Sequence, residues 1–206
     1  MKGKFITFEG GEGSGKSTQI RLLAEALRKK GFDVVLTKEP GATEPGAKIR
    51  EILLSPKTKK LCPEAETLLF MADRAQHMDE IVIPALKQGR IVISDRHADS
   101  TLAYQGYGRG LDKEKIKEFN LFAAKKIKPD LTLVLDIEAE KGLKRTIKQE
   151  FGQNDRIEKE KLEFHKKLIE GFRKIAEYEP ERVRLIPQGT VDIVHRQIME
   201  IVEKIL

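Results

Sequence analysis

The sequence predicts a doubly wound α/β fold, in which a five-stranded parallel sheet carries helices on both faces. Five short apolar runs occur along the 206 residues, and stretches with apolar residues at helical spacing separate most of them. Each run is apolar at nearly every position, which is typical of strands buried on both faces of a parallel sheet. We therefore expect a single domain, residues 1–206, built around one core.

The first strand and the first helix enclose a glycine cluster. Residues 4–9 combine β-branched and aromatic types and stop at Gly10, as a strand entering a tight loop does. Beyond the loop, a helix is predicted up to Gly31 from apolar residues at helical spacing, namely Ile20, Leu23, Ala24 and Leu27.

Four further strands follow, each after a helical stretch or a turn signal such as Gly89 or Pro129. They are predicted at residues 33–37, 91–94, 131–136 and 183–187. The last helix should pack back on the sheet through one apolar stripe, formed by Val194, Ile198, Ile201 and Ile205.

Composition narrows the class of protein. Apolar residues make up 39% and charged residues 35%, with both signs interspersed, which fits neither a disordered nor a membrane protein. The N-terminal residues carry no signal-peptide pattern, so we expect a cytoplasmic protein without a membrane partner. The net charge of +6 is spread rather than clustered, which favours a small anionic substrate over nucleic acid. The single cysteine, Cys62, is expected to be a small packing residue.

The glycine cluster matches the phosphate-loop pattern G-x-x-x-x-G-K-[ST] between a predicted strand and a predicted helix. Glycines let backbone N–H groups close around phosphate oxygens, and the helix N-terminus adds a favourable dipole. Lys16 should neutralise the β- and γ-phosphates of ATP, and the Ser17 hydroxyl should bind Mg²⁺. The predicted nucleotide-binding residues are Gly10, Gly11, Glu12, Gly13, Ser14, Gly15, Lys16, Ser17 and Thr18.

A phosphate loop alone leaves GTPases, ATPase motors and small-molecule kinases open. The sequence contains no Asn-Lys-x-Asp guanine signature, and 206 residues leave no room for motor domains. A P-loop kinase of a small acceptor is therefore favoured.

Asp95-Arg96 follows the predicted third strand, at the carboxyl edge of the sheet where ligands of open α/β folds bind. A carboxylate there suits Mg²⁺, and a guanidinium suits phosphate. The alternative is a helix-capping aspartate beside a surface arginine.

Phe70 and Arg74 are separated by four residues on a predicted helix and therefore share a face. An aromatic ring beside a planar donor can stack on a base and hydrogen-bond its edge. We expect this face to differ from the one that meets the core, which we assign to Leu68, Leu69 and Ala72. The alternative is that Phe70 only packs.

Taken together, these motifs make the sequence similar to the bacterial thymidylate kinases over nearly its whole length. The most specific segments are Asp95-Arg96-His97 and Ala103-Tyr104-Gln105-Gly106. The others are Phe8-Glu9-Gly10, Glu39-Pro40-Gly41, Ile49-Arg50, Phe70 to Arg74, Ser100-Thr101-Leu102, Pro129 to Leu133 and Asp155-Arg156-Ile157-Glu158.

The resemblance implies ATP and dTMP as substrates, Mg²⁺ as the metal, and a homodimer. It implies that Phe70 stacks on thymine, that Arg74 bonds a base carbonyl, and that Gln105 with Thr101 or Ser100 completes the base edge. Arg50 and Arg96 would hold the acceptor phosphate. Glu39 would lie near the acceptor sugar and the metal region, Tyr104 would crowd the position of a ribose 2′-hydroxyl, and Asp95 would help to organise Mg²⁺ and its waters.

The lid, at about residues 145–157, departs from the family pattern. Glu12 stands where some members carry a phosphate-loop arginine, so a lid cation is needed to neutralise the transferred group. The candidates are Arg145, Lys148 and Arg156. Arg145 is preferred first and Arg156 second, because a guanidinium can bridge two phosphate oxygens whereas a lysine offers a point charge. The predicted catalytic residues are Lys16, Asp95, Arg96 and Arg145.

Two rival functions stay open at this point. One is a kinase of another pyrimidine nucleoside monophosphate, and the other is a regulator that binds ATP without transferring phosphate. A nucleic-acid binder is a third, weaker alternative.

Overall fold

A parallel sheet organises the chain, whose residues 3–58, 60–148 and 155–206 are described by a computed structural model, with only the backbone for residues 146–148. Within these residues the strand order is β2-β3-β1-β4-β5, and every neighbouring pair is parallel. The strands are β1 (Lys4–Glu9), β2 (Val34–Lys38), β3 (Ile91–Asp95), β4 (Leu131–Leu135) and β5 (Val183–Ile186). The five predicted strands are confirmed, with ends displaced by at most one residue.

Helices connect the strands and cover both faces of the sheet. They are α1 (Lys16–Lys29), α2 (Glu44–Leu54), α3 (Pro63–His77), α4 (Ile83–Lys87), α5 (Ala98–Thr101), α6 (Lys113–Ala123), α7 (Ala139–Lys148), α8 (Leu162–Tyr178) and α9 (Val191–Val202). Two π-helical segments, Met78–Val82 and Leu102–Gly108, continue α3 and α5. No helix in the described ranges has the length and apolar character needed to cross a bilayer.

Successive side chains of each strand point to opposite faces, and both faces are buried. On one face, Ile6 and Phe8 pack with Leu23 of α1 and Ile198 of α9. On the other face, Phe5 packs with Met78 and its neighbours, while β4 and β5 pack against α8. The predicted stripes of α1 and α9 therefore meet the sheet as expected, and the doubly wound α/β fold is confirmed.

Helix α3 buries a different face from the one expected from its leucines. Leu68 is 57% exposed and Ala72 is also exposed, so the prediction that the Leu68, Leu69, Ala72 stripe meets the core is wrong. The buried face is mainly polar and consists of Glu66, Thr67, Met71, Asp73, Arg74 and His77. Hydrogen bonds satisfy most of these polar groups and so allow their burial, and periodicity of apolar residues cannot detect that arrangement.

The register of β1 and β3 positions the site. Phe8 lies opposite Asp95, so the loop after β1 and the loop after β3 leave the sheet side by side. Lys38 of β2 also pairs with Asp95, which brings the segment that begins at Glu39 to the same edge. Three loops from three neighbouring strands thus converge at the carboxyl end of the sheet, where open α/β folds bind ligands.

Candidate active site

The phosphate loop joins β1 to α1 and has three glycines with positive φ, namely Gly10, Gly13 and Gly15. At Gly10 (φ 131°) a Cβ atom would also lie 2.5 Å from the carbonyl oxygen of Leu135, so a side chain is excluded there. Lys16 folds back over the loop, and its Nζ donates to the carbonyl oxygens of Gly10 and Gly11 at 3.1 Å each. The loop therefore holds its lysine inside the cavity.

A cavity of about 640 Å³ opens at this edge of the sheet. All the predicted site residues except Gly10 and Gly11 line it. These are Glu12, Gly13, Ser14, Gly15, Lys16, Ser17, Thr18, Glu39, Arg50, Phe70, Arg74, Asp95, Arg96, Ser100, Thr101, Tyr104, Gln105 and Arg145. The phosphate loop and the predicted acceptor residues thus share one cavity, although their individual roles remain predictions.

Arg96 connects the phosphate loop to the acceptor side of the cavity. Its backbone is left-handed (φ 72°), a conformation that costs a non-glycine residue about 1 kcal/mol or more. The guanidinium donates to Glu12 at 2.6 Å and to the carbonyl oxygen of Gly10 at 3.2 Å, and it lies over the Tyr104 ring. The unusual backbone thus turns the Arg96 side chain toward the phosphate loop.

Glu12 accepts this bond and a second one from the Tyr104 hydroxyl at 2.8 Å. Burial raises the pKa of the Glu12 carboxyl, but Arg96, Lys16 and the Tyr104 hydroxyl outweigh it and hold the pKa at about 2. Glu12 is therefore ionised at neutral pH. The negative charge of Glu12 is balanced by Arg96 inside the cavity. Tyr104 is held by the bond from its hydroxyl to Glu12 and by the Arg96 guanidinium over its ring.

Glu9, at the end of β1, holds the turn that follows Arg96. Its carboxyl accepts the backbone N–H groups of His97 at 2.8 Å and Ser100 at 3.3 Å, and it is hydrogen-bonded to the Ser100 hydroxyl. Burial and the nearby charge of Asp99 raise the pKa of Glu9 to about 8. The Glu9 side chain therefore links the turn after β3 to β1, the strand that leads into the phosphate loop.

Glu39 is the centre of a buried network on the opposite side of the cavity. Its Oε1 accepts from Nδ1 of His77 and of His97, both at 2.8 Å, and its Oε2 accepts from Arg74. Burial alone would raise the pKa of Glu39, but Arg74 and the two histidines hold it well below its usual value. An ionised carboxylate thus positions Arg74 and both imidazoles.

Arg74 is almost fully buried, and each of its guanidinium nitrogens already has a protein partner. Besides Glu39, it donates to Asn120 and to the Thr101 hydroxyl, the latter at 3.0 Å. A bond to a base carbonyl would have to be added to this network or exchanged with part of it. Its base contact therefore stays a prediction, while its structural role is clear.

Asp95 and Ser17 offer oxygen ligands in the cavity. Asp95 Oδ1 is buried and has no hydrogen-bond partner within the described part of the chain. A buried carboxylate oxygen without a donor is unusual in proteins and suits a hard cation or one of its bound waters. The residues therefore fit the expected Mg²⁺.

The lid candidates occupy different places. Arg145 is exposed, lines the cavity and donates to the carbonyl oxygen of Gly13 at 3.3 Å. Arg156 instead pairs with Glu66 and donates to the carbonyl oxygen of Leu53 at 3.1 Å. The preceding residue, Asp155, accepts two backbone N–H groups. The Lys148 side chain and residues 149–154 lie outside the described residues.

Sequence reasoning assigned no role to Glu9, Glu66, His77 or Asn120, which support the cavity. Glu9 lies within the Phe8-Glu9-Gly10 segment, and an acid at the end of an otherwise apolar strand was a usable signal. Glu66 precedes Phe70 by four residues and could have been placed on its helix face. Nothing local in the sequence marks Asn120 as a partner of Arg74, 46 residues away.

The fold and the position of the cavity identify the structural class of the protein. A parallel α/β sheet with a phosphate loop between β1 and α1, and with a cavity at its carboxyl edge, is the fold of a P-loop NTPase. The sequence model of the thymidylate kinase family matches residues 8–198.

Individual relatives agree with that match. The thymidylate kinase of Pelotomaculum thermopropionicum is 47% identical over 100% of this chain and 95% of its own length. That of Carboxydothermus hydrogenoformans is 52% identical over 89% of each. The crystal structure of thymidylate kinase from Ehrlichia chaffeensis superposes with a TM-score of 0.81 at 35% identity, covering 98% of this chain and 99% of that one. The chain belongs to the thymidylate kinase family.

The raised pKa of Glu9 makes stability depend on pH. Between 4.5 and about 8 the folded state keeps a proton that the unfolded state has lost, so stability should fall as the pH rises through this window. Glu9→Gln keeps the hydrogen bonds without the ionisation. Its unfolding free energy should therefore improve relative to the parent, by on the order of 1 kcal/mol per pH unit within the window. Urea unfolding at several pH values measures this, and a difference independent of pH would contradict it.

Proposed function

We propose that the chain transfers the γ-phosphoryl group of ATP to dTMP, giving dTDP and ADP for dTTP biosynthesis. The observation that carries this proposal is the shared cavity, in which the phosphate loop and an acceptor side with Phe70, Gln105 and Arg50 face the same space. Direct transfer requires two bound reactants in one water-excluding site. A regulator that only holds ATP has no use for the acceptor side. Membership in the thymidylate kinase family supports the same choice.

On the acceptor side, Phe70 would stack on the thymine ring, with Arg74 and Gln105 at the base edge and Thr101 or Ser100 completing it. Arg50 would hold the acceptor phosphate. Its Nη1 donates a hydrogen bond to the carbonyl oxygen of Pro40 at 2.8 Å. Glu39 would act beneath the sugar mainly through its partners. Tyr104, fixed by Glu12, would occupy the space of a ribose 2′-hydroxyl and so favour deoxynucleotides.

Ser17 and Asp95 would hold Mg²⁺, and the ion would neutralise phosphate charge when bound. The chain's own part in the reaction is alignment and electrostatic stabilisation. Lys16 would move from the loop carbonyls to phosphate oxygens. Arg96 would contact the phosphate between donor and acceptor, because its guanidinium already lies at the loop beside Glu12.

We further propose one catalytic domain, residues 1–206, with the lid at about residues 145–157. Arg145 is our first choice for the lid cation because it lines the cavity at the phosphate loop, whereas Arg156 is occupied by Glu66. The chain is proposed to be cytoplasmic, without a membrane or nucleic-acid partner. Steeply salt-dependent retention on DNA would count against the last point.

An acceptor panel tests the proposed activity. With ATP and Mg²⁺, dTMP should be converted faster than dUMP, UMP or dGMP, and ADP release should require the acceptor. Lys16→Met should reduce turnover at least about 10³-fold, because it removes a charge aimed at the transferring group. Lys87→Met, at an exposed lysine, is the matched control and should behave like the parent. Preference for another monophosphate, or ADP release without an acceptor, would contradict the proposed function.

The lid assignment has its own test. Arg145→Ala should lower kcat by about 10³-fold while leaving the dTMP affinity nearly unchanged, because the cation acts on the transferred group. Lys148→Ala should have a much smaller effect. The assignment is wrong if the lysine variant is the more damaged of the two, and equal, mild losses would mean that no single lid cation carries the step.

The proposed homodimer finds support in the exposed face of α3 and α6. Leu68 is 57% exposed, and Phe119 and Phe122 on the neighbouring helix α6 are 42% and 84% exposed, and adjacent exposed apolar side chains suit a protein–protein contact. We expect a dimer by sedimentation that Leu68→Glu dissociates. Leu185→Glu, at a leucine 40% exposed on β5, should leave it intact. A monomeric parent protein, or dissociation by both variants alike, would refute this interface.

A further inference from the structure

Glu66 is a buried acid on α3 that the proposed reaction does not use. Its side chain is 1% exposed, and it accepts hydrogen bonds from Arg109, Arg156 and Gln105. Burial raises the pKa of this carboxyl, but the bonds from Arg109, Gln105 and Arg156 outweigh it, so the pKa is lowered. Glu66 is therefore an ionised group that can only accept hydrogen bonds.

That property fixes the orientation of the Gln105 side-chain amide. Nε2 of Gln105 donates to Glu66 Oε1 at 2.9 Å. Turning the amide over would place its carbonyl oxygen against the carboxylate, so two acceptors would face each other in a buried site. Both side chains are about 1% exposed, so water cannot relieve such a contact. The charge of Glu66 thus permits one of the two amide orientations.

The other end of the amide is left for the ligand. Gln105 Oε1 is buried and has no hydrogen-bond partner in the described part of the chain, and Gln105 lines the cavity on the side of Phe70. Glu66 itself lies outside the cavity lining. Oε1 is thus the amide atom that has no partner, and as an acceptor it needs a ring N–H opposite it.

Resting on the proposed function, we propose that Glu66 contributes to base specificity, by holding Gln105 so that it accepts from the ring N3–H of an imide base. Thymine and uracil carry a hydrogen on N3. Cytosine has a lone pair there, which would face the Gln105 oxygen and be repelled. Glu66 acts through Gln105 and is thus a positioning residue, without contact to the substrate.

The test compares dTMP with 5-methyl-dCMP, which keeps the 5-methyl group but lacks the N3–H and exchanges the 4-oxygen for an amino group. The parent should prefer dTMP strongly. In Glu66→Gln, residue 66 can offer either an oxygen or an amide N–H, so Gln105 can turn over and donate to N3. The ratio of kcat/KM for dTMP to that for 5-methyl-dCMP should fall at least about tenfold. Glu66→Asp keeps the charge and should retain the ratio even if dTMP binds more weakly.

Glu160→Gln is the matched control, because Glu160 is the other acidic partner of Arg109 but does not touch Gln105. It should keep the ratio within about twofold of the parent. An unchanged ratio in folded Glu66→Gln, even with lower turnover, would overturn the inference and leave Glu66 a purely structural residue. If Glu66→Gln does not fold, loss of the ratio in Glu66→Asp would also overturn it.

A second measurement uses the unmodified protein. N3-methyl-dTMP should bind at least about tenfold more weakly than dTMP, because it presents no N–H to Gln105. Equal binding would overturn the amide orientation without affecting the proposed function. Failure of the parent to phosphorylate dTMP at all would instead refute the proposed function, so the two failures are distinguishable.

Discussion

The parallel pairing of β1 with β3 sets Phe8 opposite Asp95, and the site is built outward from that register. The two strands deliver the phosphate loop and the Asp95-Arg96-His97 turn to adjacent positions. Glu9, at the end of β1, accepts a hydrogen bond from the backbone N–H of His97 in the turn after β3. Arg96, in that turn, donates to Glu12 and Gly10 of the phosphate loop. A one-residue slip of this register would move these side chains to the other face of the sheet and break all of these contacts at once.

Charge burial explains why so many of these residues depend on one another. Removing ions from water is costly unless each has a partner of opposite charge and further hydrogen bonds. Glu39 with Arg74, Glu12 with Arg96 and Glu66 with Arg109 each satisfy this requirement. Arg74 consequently serves the fold as well as the proposed base contact. Truncating it would leave Glu39 buried beside two histidines, so its loss would affect stability as well as recognition.

The sequence allowed the strands, the phosphate loop and the helices on either side of it to be predicted because their signals are local. Apolar runs mark buried strands, and glycine spacing marks the loop. The packing side of α3 was predicted wrongly because its buried face is polar and is satisfied by partners distant in the chain, such as Glu39 for Arg74. Resemblance to a family supplied the candidate acceptor residues, which the cavity brings together. It did not indicate that Arg156 is bound by Glu66 or that Glu9 staples the turn after β3.

We propose that donor and acceptor nucleotides occupy one continuous cavity between the phosphate loop and α3. A bisubstrate analogue, in which adenosine and thymidine are joined through a chain of phosphates, tests it most directly by calorimetry. One molecule should bind per chain, more tightly than ATP or dTMP alone, and each of these two nucleotides should displace it competitively. Two molecules per chain, or competition with only one of the two nucleotides, would contradict it.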